Sequence, residues 1–210
     1  MVRSFRSLSV LALILMSVAC TTPQTPVVTA TPAKVADTKA ALRDLWLGHI
    51  LGIRNVAVAT MDKNAAARES AEKGVVANAQ QIAQSIEPFY GKPASDKLFS
   101  LLAGHYGAIR DDLDATVAGN AAQQEAAIKA ITANAGEIST FLSGANPYLP
   151  KDAVMGLLTA HAAHHIQQFQ QLKAGEYAQE GETWTGMKKH IYVVADALTG
   201  ALAQQFPAKF

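Results

Sequence analysis

Cysteine occurs once in the 210 residues, at Cys20, so no disulfide within the chain can hold the fold together. Charge of one sign is equally scarce, with 18 Lys+Arg against 17 Asp+Glu and a formal net charge of +1. A balance that close leaves no electrostatic footprint for nucleic acid or for an anionic lipid surface. There is no Gly-rich phosphate loop, no GxSxG turn and no reactive cysteine in a folded segment, and serine and histidine occur without a triad arrangement. Catalysis therefore has little positive support, and a non-enzyme is the expectation. The longest apolar run, Leu8 to Val18, is too short for a comfortable permanent span of a bilayer. With Arg3 and Arg6 ahead of it, it reads as a secretory signal.

That signal ends in Ser17-Val18-Ala19-Cys20, which resembles the cleavage and lipidation box of bacterial lipoproteins, with serine where leucine is usual. The resemblance implies removal of residues 1–19 and acylation of Cys20 by palmitate-type chains. Removal takes Arg3 and Arg6 and brings the formal charge from +1 to −1. The segment TTPQTPVVTATPAKVA that follows is rich in Thr and Pro and poor in large apolar residues, so residues 20–36 are expected to form a tether. Thr21, with no Asp beside the cysteine, resembles the outer-membrane sorting pattern of Gram-negative lipoproteins. The expected location is the bacterial cell envelope: anchored by lipid, facing the periplasm and most simply on the outer membrane. An envelope protein partner fits such a place; a nucleic acid does not.

Residues 37–210 are left for one domain, long enough for a real core. They are rich in Ala, Leu and Gln, a composition that favours closely packed helices. The phrase LWLGHILGIR at residue 45 returns as LLAGHYGAIR 56 residues later, and a looser LLTAHAAHHI follows after a further 56. Asn64-Ala65 falls on Asn120-Ala121 and Ala77-Asn78-Ala79 on Ala133-Asn134-Ala135 at the same offset. Each copy reads as two helices. Asn64 and Asn120 are expected to cap the second helix of their copies, Ser95 and Asp152 the first helix of the next, and Pro88 and Pro147 to end the second helices. The fold expected is all-α: an antiparallel six-helix bundle of three helical hairpins, with an internal repeat of about 56 residues. The third copy aligns only if six or seven residues are inserted in LKAGEYAQEGETWTG, which makes Tyr177–Trp184 a loop and Asp196 the counterpart of Asn78.

Each copy sets a histidine in an apolar helical stripe. Tight turns near residues 63–64 and 119–120 put Asn78 opposite His49 and Asn134 opposite His105. A buried imidazole left unpaired costs roughly 1–3 kcal/mol, so the plain reading is a hydrogen-bonded structural pair. His161 and His165 are one turn apart on one face, His164 lies at the edge of that face, and His190 sits on the next helix. Inward histidines of this kind can also hold a metal, and imidazole suits Zn, Cu, Ni or Fe. The candidate ligands are His49, His105, His161, His165 and His190, with Asn78, Asn134 and Asp196 as acceptors for their second N–H. A His161–Asp196 dyad could act as a general base. Arg54 and Arg110 fall off the stripe and suit ion pairing, as does Asp112, which could otherwise be a further ligand.

HAAHHIQQ together with the distant WLGHIL resembles the histidine spacing of DinB-like helical bundles. That family binds a divalent metal through one histidine of an early helix and an HxxxH pair of a late one. The resemblance implies His49 (or His105), His161 and His165 as ligands. Three functions follow as expectations: an anchored bundle binding a transition metal or small ligand, haem included, through core histidines; a structural or interaction lipoprotein whose histidines only make buried hydrogen bonds; and a DinB-like metal-dependent enzyme.

Overall fold

The computed structural model describes residues 29–210, and the signal, Cys20 and most of the tether lie outside them. The described residues are all-helical, without strands, and six long helices pack together into a bundle. In chain order these are α1 (Pro32–Met61), α2 (Ala65–Ser85), the short α3 (Glu87–Tyr90), α4 (Lys92–Ala118), α5 (Ala121–Ala145), α6 (Lys151–Ala174) and α7 (Tyr177–Gln205), with a final 3-10 turn at Pro207–Lys209. None of these helices is long and apolar enough to cross a membrane. Helix α1 begins inside the expected tether, because Pro32 in the first turn needs no amide partner and its fixed φ suits helix entry.

Asn64 and Asn120 cap α2 and α5, accepting from the amides of Ala67 (3.0 Å) and Gln123 (3.1 Å). Ser95 and Asp152 are not caps. Gly91 and Pro150 occupy those positions, so Ser95 lies one turn inside α4 and Asp152 in the first turn of α6. Pro88 sits in the first turn of α3, and α5 stops two residues short of Pro147.

The turns joining α1 to α2, α4 to α5 and α6 to α7 share one geometry. Lys63, Gly119 and Gly175 adopt left-handed φ of 55°, 70° and 73°. The amide after each, at Asn64, Asn120 and Glu176, donates to the carbonyls of Ala59, Ala115 and Gln171. Such a Schellman closure satisfies the carbonyls orphaned at a helix end. These positions are 56 residues apart in both steps. No extra residues are needed to bring the third turn to that spacing, and Tyr177–Trp184 is not a loop but the first two turns of α7.

Each of these turns joins helices that pack along one another, while α1, α4 and α6 each also touch the other two. Their inward stripes run in register at the 56-residue interval. Leu42, Leu98 and Val154 are followed by Trp46, Leu102 and Leu158, and then by His49, His105 and His161. One turn further come Ile53, Ile109 and His165, then Val56, Asp112 and Gln168, all buried. The histidines therefore sit in mid-core, with leucines on one side and isoleucines on the other.

Candidate metal centre

One helix supplies each of three converging imidazoles: His49 from α1, His105 from α4 and His161 from α6. Each is at most 3% exposed. One ring nitrogen from each lies within 4.8 Å of the other two. Ring centroids are 5.5 Å apart for His49 and His161, 5.8 Å for His105 and His161, and 6.3 Å for His49 and His105. A metal that holds imidazoles at roughly 2.0–2.1 Å in a tetrahedron spaces their nitrogens by about 3.4 Å. From within 4.8 Å, reaching that spacing takes a displacement of about 1 Å per ring.

His165 packs edge-on against His161 at 4.6 Å between centroids and lies 6.2 Å from His49. On its far side it stacks on Phe169. It is a neighbour of the trio, set back by one turn, and not one of the three converging groups.

Burial determines the charge of these rings. Desolvation, with the nearby His105, pushes His49 down to about 3. Desolvation lowers His105 to about 4, opposed by the Asn134 carboxamide. His161 and His165 are held well below the ordinary imidazole value, first by burial and then by their neighbours. All four are neutral at physiological pH, which is the form that binds a metal. They are also without partners: one nitrogen of His49 and both nitrogens of His105, His161 and His165 form no hydrogen bond within the protein. Seven unsatisfied buried nitrogens in one place are costly unless something binds there.

The facing amides do something other than pair with the imidazoles. Asn78 Nδ2 donates to the Leu45 carbonyl and Asn134 Nδ2 to the Leu101 carbonyl, in each case the carbonyl one helical turn before the histidine. Gly48 and Gly104 permit this approach, since a Cβ there would lie 3.0 Å and 3.3 Å from the two amide nitrogens. Neither amide oxygen has a partner. Asn134 is near enough to His105 to favour its charged form, yet no hydrogen bond joins them.

His190 occupies the place expected for Asp196. Its Nε2–H donates to the Leu157 carbonyl at 2.9 Å, across the same 33-residue separation as Asn78 to Leu45 and Asn134 to Leu101. It thus takes the bonding position that Asn78 and Asn134 take in the other hairpins and is not among the three converging imidazoles. Its ring stacks on that of His164, 5.5 Å away, whose Nδ1–H donates to the Ala160 carbonyl. Asp196 is gripped instead by Nε and Nη2 of Arg43 (2.7 and 2.6 Å) and by Lys39 (2.8 Å). It supports no imidazole, and the His161–Asp196 dyad does not form. The inserted alignment displaced it by six positions.

Of the residues expected to form ion pairs, Arg54 does so and Asp112 does not. Arg54 forms a bidentate pair with the buried Glu180 of α7, which also accepts from Gln168, and the guanidinium lies over the Trp184 ring. Arg110 makes only a long contact with Asp111. Asp112 is fully buried, its carboxyl oxygens have no hydrogen-bond partner, and burial raises its pKa. It sits two turns from His105, too far along α4 to share a ligand set with it. Comparison with family models, curated proteins and solved structures finds nothing that matches this chain.

Proposed function

We propose that the chain is a lipid-anchored envelope protein whose helical bundle binds a divalent transition metal through His49, His105 and His161. The observation that carries the reading is the convergence of three neutral, fully buried imidazoles that have no other partner. Three imidazoles with an open fourth position suit Zn or Cu, and less selectively Ni or Fe. Asn78 and Asn134 would orient His49 and His105 through their unpartnered oxygens. The anchor is Cys20, with the bundle held off the membrane by the Thr/Pro-rich segment. The matching turns and the three 33-residue bonds support descent of three hairpins from one ancestral helix pair.

Elemental analysis and Co(II) titration of the tag-free domain test the metal reading. One metal per chain is expected, with a tetrahedral cobalt spectrum. Loss of a ligand should exceed the roughly 10- to 100-fold penalty typical of supporting residues, so His49→Ala/His161→Ala should abolish stoichiometric binding. Uptake unchanged in that double variant would reject the site. The alternative, histidines that serve only as hydrogen-bonding groups, describes the half-buried His164 and His190 well and the inner cluster poorly.

A further inference from the structure

Hydrogen bonding occupies only one nitrogen of each ring in the outer histidine pair. His164 Nδ1 lies 2.7 Å from the Ala160 carbonyl and His190 Nε2 2.9 Å from the Leu157 carbonyl. A carbonyl oxygen can only accept, so those two nitrogens carry the protons and, in the neutral rings, His164 Nε2 and His190 Nδ1 carry lone pairs. A backbone carbonyl that holds the second N–H is the support that orients a metal-binding imidazole. His105 and His161 lack it, whereas both outer rings already have it.

The two rings are close enough for one ion to take both. Their centroids are 5.5 Å apart and their planes 26° from parallel. An ion roughly 2.0–2.1 Å from each nitrogen stands about 3 Å from each ring centre, so two rings on one ion sit between about 4.5 Å apart at a right angle and about 6 Å in line. His164 Nε2 is turned toward α7, since a Cβ on Gly186, one turn before His190, would lie 3.4 Å from it. Both residues are half-buried and their free nitrogens keep access to solvent, so an ion can arrive without the bundle opening. Imidazole suits Cu, Ni and Zn, and among these divalent ions copper gains most from a given set of nitrogen donors. We propose that His164 and His190 form a second metal site, reached from solvent between α6 and α7, that takes Cu(II) independently of the buried trio. Cobalt, lower in that order of affinity, is held too weakly by two imidazoles to add to the one equivalent expected at the trio.

Cu(II) titration of the tag-free His49→Ala/His161→Ala protein isolates this pair from the trio. One Cu(II) per chain is expected, with pulsed EPR showing two coordinated imidazoles. His164→Gln or His190→Gln added to that background should each weaken binding at least about tenfold and leave no more than one imidazole on the ion. If the double variant does not fold, the chain with its trio intact makes the same test: His164→Gln should remove one Cu(II) equivalent together with its two-imidazole signal and leave cobalt uptake unchanged. Copper binding indifferent to both substitutions, binding sensitive to only one of them, or a folded double variant that takes up no copper would each overturn the proposal. A chain that holds copper at this pair but takes up no cobalt would sink the trio reading and leave this one standing.

Discussion

The first two hairpins and the third share one frame and fill it differently. In α1–α2 and α4–α5 a glycine precedes the inward histidine, a carboxamide from the partner helix reaches the carbonyl one turn back, and an isoleucine lies one turn on. In α6–α7 the corresponding residues are Ala160, His190 and His165, and His164 is added beside them. Turn geometry and the 33-residue bond are unchanged. The comparison separates two kinds of histidine. His164 and His190 have backbone partners, whereas His49, His105, His161 and His165 have buried nitrogens with no hydrogen-bond partner within the protein.

The largest expected effect comes from acid. Unfolded histidine titrates near pH 6.5, while His49 and His105 in the fold are pushed down to about 3 and about 4. The unfolded chain therefore binds protons that the folded one refuses. Stability is fully present above pH 6.5 and falls as pH drops through the window from 6.5 toward 4. Each such group contributes up to about 1.4 kcal/mol per pH unit there. Against a typical total of roughly 5–15 kcal/mol, two to four of them should unfold the metal-free domain within about two pH units below 6. Arg43 and Arg54 hold Asp196 and Glu180 below the usual carboxylate range, so their contributions are lost only under more acidic conditions. Urea melts at intervals of half a pH unit would show the slope, and stability that stays flat from pH 7 to 4.5 would contradict neutral burial of the cluster.

His165→Ile converts one layer of the third hairpin to the residue found at Ile53 and Ile109. Two unsatisfied nitrogens leave a fully buried site, so the metal-free domain should gain about 1–3 kcal/mol. Its acid slope should also become shallower. Metal affinity should fall less than tenfold, because the converging trio is His49, His105 and His161. The HxxxH resemblance implies the opposite, a loss as large as that from His161→Ala. Paired denaturation and cobalt titrations decide between the two assignments.

Much of this frame was legible in the sequence because a 56-residue interval imposes helix count, turn positions and inward stripes together. Asn64 and Asn120 announced their caps through side-chain chemistry, and the inward histidines announced themselves by apolar neighbours. The third hairpin was misread because its similarity was sought in residue identity, and the insertion accepted for that match made Asp196 the counterpart of Asn78. Backbone demands persisted where identities had changed: Gly175-Glu176 stands in the frame of Gly119-Asn120, and His190 in that of Asn134. Arg54–Glu180 was only half visible, since pairing a basic residue with one 126 positions away depends on α1 meeting α7. Asp112 was expected to pair with a basic residue or to join the ligands and does neither, because nothing local reveals that a carboxylate will have no partner.

The smallest effect tests whether His190 truly belongs to the amide series. In His190→Asn the carboxamide would face Ala160, whose methyl group occupies the space left open at Gly48 and Gly104. The single variant should therefore lose the Leu157 bond, at a cost of about 1 kcal/mol. Adding Ala160→Gly should restore the bond, although glycine inside a helix itself costs roughly 0.5–1 kcal/mol. The double variant is thus expected near the single one in overall stability but with a coupling energy of about 1 kcal/mol between the sites in a double-mutant cycle. Metal affinity should stay within a few fold in all three proteins, since His190 is outside the trio. A cycle with no coupling would mean that His190 holds its carbonyl by a geometry unrelated to Asn78 and Asn134, whereas lost metal binding would return it to the ligand set.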